Sequence, residues 1–140
     1  MHILLTRPLE DCSQMILKFK SLGHQVSHLP LINIQSIKYK EIKFEDYKAI
    51  IFTSANAVKY LDLKNIDKKI SCFCVGSATE KKARSVGFLN VIAAEGNVAN
   101  LKELILQNFN QKEGKLVYVS GEIISTDLDQ QLLQEGYSIE

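Results

Sequence analysis

Apolar and polar positions follow two rhythms along the chain, and the switches between them predict its elements. "HILLT" at residues 2–6 is an apolar run of strand length. Leu9, Cys12, Ile16, Phe19 and Leu22 then recur at three- and four-residue spacing, the mark of an amphipathic helix. Pro8 suits the first turn of that helix and Gly23 its carboxyl end. "HQVSHL" predicts a second strand, and "PLINIQSIKYKEIKF" is a connector with little periodicity. The alternation then restarts. "KAIIFT", "ISCFCV", "NVIAA" and "KLVYVS" predict strands centred on Ile51, Phe73, Ile92 and Val117. Helices are expected near 56–63 and 78–86, then through Val98, Leu101, Leu104, Ile105 and Phe109, then through Leu128, Leu132 and Leu133. Gly87 and Gly136 end two of them, and "YSIE" starts a further strand at Ile139.

Apolar strands alternating with helices predict an α/β fold, a parallel sheet covered on both faces. Right-handed crossovers place every strand-to-helix turn at the carboxyl edge of such a sheet, where ligands of open α/β folds bind. Those turns read "TRP", "TSAN", "GSATE", "AEGN" and "SGE", each with Ser, Thr, Asn or Gly before a helix. Capping accounts for any one of them, since small polar side chains satisfy the unpaired amides of a first turn. Ser77 and Glu80 have the spacing of a capping box. Taken together, several helix amino termini at one edge present amides and partial positive charge, which suits an anionic ligand.

Charge changes the picture little. Seventeen basic and 16 acidic residues leave a net charge of +1, so no basic field points to nucleic acid or to a membrane surface. No apolar run reaches the length of a membrane span, and "MHILLTRP" lacks the layout of a signal peptide, so a cytoplasmic protein is expected. Three cysteines, with Cys72 and Cys74 two apart on one strand, read as buried thiols, without the ligand spacing of a metal site. A dinucleotide glycine fingerprint, a phosphate loop and the acidic strand ends of a phosphorylated receiver are all missing from the edge turns.

"ILLTRP", "LPLINI", "IIFTSANAV", "CFCVGSATEKKARSVGF" and "VYVSGE" followed by "LDQQLLQEGYSIE" stand in an order and spacing that resembles uroporphyrinogen-III synthase. The resemblance implies two flavodoxin-like α/β domains, the first discontinuous, joined by a two-stranded connector. Residues 1–34 would be the opening β-α-β part of domain one, incomplete in this chain, and 38–140 most of domain two. It implies a lyase of haem biosynthesis. That enzyme closes the linear tetrapyrrole hydroxymethylbilane into uroporphyrinogen III with its last ring inverted, as a monomer using no metal and no cofactor.

The eight carboxylates of that substrate match the edge chemistry. The resemblance implies substrate contacts from Arg7, Thr53, Ser54, Asn56, Ser77, Thr79, Asn97 and Gly121. Ser54, Asn56, Ser77 and Thr79 fit capping alone or capping with ligand contact, and Asn97 fits capping first. Arg7 fits a carboxylate ligand or an ion pair with Glu10 or Asp11. Tyr39, Tyr47, Tyr60, Tyr118 and Tyr137 read as packing or surface residues. The tyrosine discussed in the family for hydroxyl departure falls beyond Glu140, so no catalytic residue is assigned. With the returning half of domain one outside these residues, the chain alone is expected to self-associate through residues 1–35 and to yield mainly the spontaneous isomer I. The alternative is a non-catalytic flavodoxin-like module that binds a small anion or regulates.

Overall fold

A computed structural model describes residues 1–122 and 124–140, which divide into two compact units, Met1–Ser36 and Ile37–Glu140. The first unit is a β-α-β piece: β1 (His2–Leu5), α1 (Leu9–Ser21) and β2 (Gln25–His28). The strands pair in parallel from His2 with Gln25 to Leu5 with His28. Glu10 and Asp11 lie in the first turn of α1 and Lys18 and Lys20 in its last, matching the helix dipole at both ends. Pro8 sits one position earlier than expected, as the N-cap. Among the described residues of this unit only Cys12 is buried.

The second unit holds β3 (Tyr47–Phe52), α2 (Ala55–Tyr60), β4 (Ser71–Val75), α3 (Ser77–Ser85), β5 (Asn90–Ala94), α4 (Val98–Asn108), β6 (Lys115–Val119) and α5 (Leu128–Gln134). The sheet is parallel throughout, in the order β5-β4-β3-β6, as the alternation predicts. Leu116 bridges in parallel to Ile139, beginning a further strand beside β6. Successive side chains of β3 enter opposite cores, as a strand covered on both faces requires. Ile50 and Phe52 join Cys72, Cys74, Val58 of α2 and Ala83 of α3 on one face. Ala49 and Ile51 join Phe73, Leu101 and Ile105 of α4, and Leu128 and Leu132 of α5 on the other. Phe52 meets Phe88 edge-on at 5.8 Å in the first core, and Phe73 meets Phe109 at 6.2 Å in the second.

Three expectations need correction. α2 is a single short helix that ends at Tyr60 and does not reach residue 63, because Leu61 is already extended. The connector at 29–43 contains no strand. A strand needs a ladder of paired residues, and the register of β1 with β2 ends at Leu5 and His28. The third concerns the start of α3 and belongs to the site.

Candidate functional site

β3, β4 and β5 step in one direction across the sheet, and β6 then lies on the other side of β3. The crevice outside the carboxyl ends of β3 and β6 is thus the point where the winding reverses, the place at which open α/β sheets take ligands. Thr53 and Ser54 leave β3 there, and Ser120 and Gly121 leave β6. Gly76 and Ser77 follow β4, and Glu95 to Asn97 follow β5, along the same edge. The carboxyl edge therefore gathers Thr53, Ser54, Asn56, Ser77, Thr79, Asn97 and Gly121, all uncharged. Glu95 and Glu122 stand exposed at its rim.

The helix starts that follow β3, β4 and β5 along this edge are built differently. Ser54 is the N-cap of α2, and its hydroxyl accepts from the amide of Asn56 at 3.2 Å. Asn97 caps α4 reciprocally: its Oδ1 accepts from the amides of Ala99 and Asn100, while Asn100 Oδ1 accepts from the amide of Asn97. Those donors are already engaged.

α3 is different. The capping box expected of Ser77 and Glu80 does not form, because the N-cap is Gly76 and Ser77 is already the first helical residue. Gly76 stands at φ +79° with open space where a Cβ would lie, so its backbone conformation and not crowding calls for glycine. Glu80 turns away to pair with Arg84 at 2.9 Å. No side chain caps α3, and its first-turn amides remain as donors at the carboxyl edge. Ser77 is exposed there, whereas the side chain of Thr79 is buried, so what Thr79 can offer a ligand is its amide.

Tyr118, which sequence pattern alone presents as a packing or surface residue, stands at the β3–β6 crevice. Its hydroxyl lies 3.2 Å from Thr53 Oγ1. No local signal reveals this, because the two residues are 65 apart and meet only through strand pairing. Arg7 belongs to the first unit, where it follows β1 and is exposed; its carbonyl accepts from His28 Nε2 at 2.8 Å.

The groups with displaced titration lie elsewhere. Burial pushes the Cys72 thiol up to about 12 and the Cys74 thiol up to about 11, consistent with inert core thiols. Burial lowers Lys68, whose ammonium sits 4.6 Å from the Phe88 ring centre. Tyr47, Lys115 and Glu140 form an exposed cluster around the amino end of β6 and the last residue. Among the described residues no group of His, Cys, Asp and Glu could hold a metal ion, and no helix is long and apolar enough to cross a membrane.

The sequence matches the family model described as "Uroporphyrinogen-III synthase HemD" over residues 13–140. Two solved structures are similar in fold, both uroporphyrinogen III synthase from the extremely thermophilic bacterium Thermus thermophilus. A mutant form gives a TM-score of 0.60 and the wild type 0.55, each at 14% identity. Each match covers 99% of this chain and 59% of the other, so these residues span less than two thirds of the length of those proteins. No curated protein matches the sequence.

Proposed function

The chain belongs to the uroporphyrinogen-III synthase family, and we propose that it serves the cyclisation of hydroxymethylbilane to uroporphyrinogen III. The observation that carries this reading is the uncapped start of α3 on an edge of neutral hydroxyls, amides and glycine. A substrate with eight carboxylates on an apolar pyrrole body calls for many dispersed anion donors. Backbone amides at helix starts supply them without a matching count of Lys and Arg. In this reading Gly121 and the amides of Ser77 and Thr79 receive acetate and propionate arms. The backbone cap donors at Ser54, Asn56 and Asn97 are engaged, so these residues add the Ser54 hydroxyl and the side-chain NH2 groups of Asn56 and Asn97. Thr53 adds a hydroxyl.

The chemistry asks little of acids and bases. The terminal hydroxyl departs with a proton as water and leaves an azafulvene cation. The last ring attacks through its substituted α carbon to give a spiro intermediate, and the bond from that carbon to its original methylene bridge breaks. The ring recloses through its free α carbon, which loses its proton and leaves the ring reversed. Folding the chain into one geometry is then the main contribution, an effect of orientation. Carbonyl dipoles and the substrate's own carboxylates stabilise the cation. It fits this account that the gathered edge residues bring hydroxyls and amides in place of an acid–base pair.

Two measurements test it. Uroporphyrin III, the oxidised ring with the same eight carboxylates, is titrated into the labelled protein, and shifts are expected at the amides of Ser77, Ala78 and Thr79. Hydroxymethylbilane is then supplied, and the oxidised products are separated by isomer. Isomer III above the protein-free control supports cyclisation by these residues. Because the chain alone is expected to give mainly isomer I, the assay is repeated with the returning half of domain one supplied. Binding with isomer I alone even then supports the non-catalytic anion-binding module, and a folded protein that neither binds nor alters the isomer ratio overturns both.

A further inference from the structure

We infer that Tyr118 is a ligand-contacting residue of the carboxyl edge, where its phenol and the Thr53 hydroxyl form a paired donor for a carboxylate arm. The inference rests on the tetrapyrrole reading above and adds to it a residue and a direction of approach.

Tyr118 sits opposite Ile51 in the β3–β6 register, yet its hydroxyl bonds to Thr53, two residues further on. Two residues of strand are about 6.6 Å, so the ring leans along the sheet and delivers its oxygen to the carboxyl edge. Both residues are half-buried there. Val119 and Phe52, the next register pair, mark the last rung of the ladder, so the two hydroxyls lie at the mouth of the crevice where the winding reverses.

Counting protons gives the pair its character. Two hydroxyls carry two O–H donors, and the bond between them uses one. Among the described residues neither hydroxyl has another hydrogen-bond partner, so one donor remains. When Thr53 donates inward, that remaining donor is the phenol, polarised by the bond it accepts. Tyr137 shows the other use of a phenol: it is buried, with its hydroxyl donated to the Phe109 carbonyl at 2.7 Å. One tyrosine commits its hydroxyl to the fold, and the other keeps a donor at the edge.

The test compares these two tyrosines. Protein labelled at tyrosine Cζ is titrated with uroporphyrin III, with Tyr118→Phe and Tyr137→Phe as assignments and controls. The Tyr118 signal is expected to shift on binding and the Tyr137 signal to stay. Tyr118→Phe should weaken binding about tenfold, the scale of one hydrogen bond to a charged group, with its melting temperature unchanged. Tyr137→Phe should lower the melting temperature and leave binding intact. If the wild type binds while Tyr118→Phe binds equally well and the Tyr118 signal is static, the inference falls and the tetrapyrrole reading stands. A loss of binding by Tyr118→Phe that comes with a lower melting temperature and a static signal also overturns it. If the folded wild type does not bind uroporphyrin III at all, the tetrapyrrole reading fails and this inference with it.

Discussion

The Arg84 guanidinium closes two bonds onto one oxygen of Glu80, at 3.0 and 2.9 Å, and reaches on to the carbonyl of Val91 at 2.9 Å. One side chain thus ties α3 to β5 and holds the carboxylate of Glu80 away from the start of its own helix. The ion pair is half-exposed, with 49% and 34% of the two side chains accessible, so its electrostatic worth is small. The carbonyl bond crosses to another element and should matter more. Urea denaturation is expected to show a loss of about 0.5 kcal/mol for Glu80→Gln and about 1.5 kcal/mol for Arg84→Ala. Equal losses would mean that the carbonyl contact contributes nothing.

Ser77→Pro separates structure from ligand binding at the first residue of α3. Proline is favoured at that position, where the amide has no helical partner, and the extended ψ of 154° at Gly76 accepts a following proline. Stability should therefore change by less than about 0.5 kcal/mol. Removing the amide should still weaken uroporphyrin III binding several-fold in fluorescence titration. Undiminished binding would take the α3 start out of the site.

Cys12, Cys72 and Cys74 are buried, and the last two are held protonated far above neutral pH. Cys12 also donates from its sulfur to the carbonyl of Pro8 at 3.3 Å. The native protein at pH 8 should react negligibly with a disulfide reagent and release three equivalents in denaturant. Fast reaction of one thiol in the native state would contradict the packing.

Glu140 accepts from Lys115 Nζ and from the Tyr47 hydroxyl, both at 2.8 Å. Lys115 first, then Tyr47, holds the Glu140 carboxyl below its ordinary 4.5, so its contribution is complete above that value and fades as pH falls through the lowered one. The bond to Glu140 raises Lys115 above its ordinary 10.5, so its contribution is complete below that value and is lost as pH rises through the raised one. Burial first, then the bond to Glu140, raises Tyr47 in the same sense at the alkaline end. Removing the link with Glu140→Gln should cost a little stability across the window between those values, little because the pair is exposed, and the loss should fade toward either end. A variant whose loss is smallest at neutral pH would contradict this.

Residues 1–36 leave Leu4, Leu9, Leu17, Leu22, Leu29, Leu31 and Ile32 exposed around a two-stranded sheet. So much apolar surface and so short a sheet favour pairing with another copy. Sedimentation should show a mass average that rises with concentration, reduced by Leu17→Lys with Leu31→Lys. A concentration-independent monomer would refute the expectation.

The strands of the second unit are legible in the sequence because "IIF", "CFC" and "LVYV" are apolar runs too short for helices and bounded by turns. Helix ends are harder. Asn97 can be read as a cap from its place alone, but Ser77 has the same look without the role, since the chain enters α3 one residue early through the positive φ of Gly76. Thr79 resembles its hydroxyl-bearing neighbours, and only the packing of α3 on the sheet turns its side chain inward. Tyr118 lies beyond reach for a third reason: its partner is set by which strand follows β3 across the sheet, and no local pattern encodes that order.

β3 is a middle strand of its sheet, yet it is the first of the four to leave the ribosome, and β6, which covers one of its sides, is the last. At ordinary rates of synthesis the gap between them lasts on the order of several seconds. During that time β4 and β5 can already be docked while the other edge of "YKAIIF" stands bare, with four residues destined for full burial. A newborn copy is therefore most vulnerable in the stretch that ends up best protected. Slowing translation before residue 115 should raise its demand for chaperones, and changes that hasten β6 pairing should lower it.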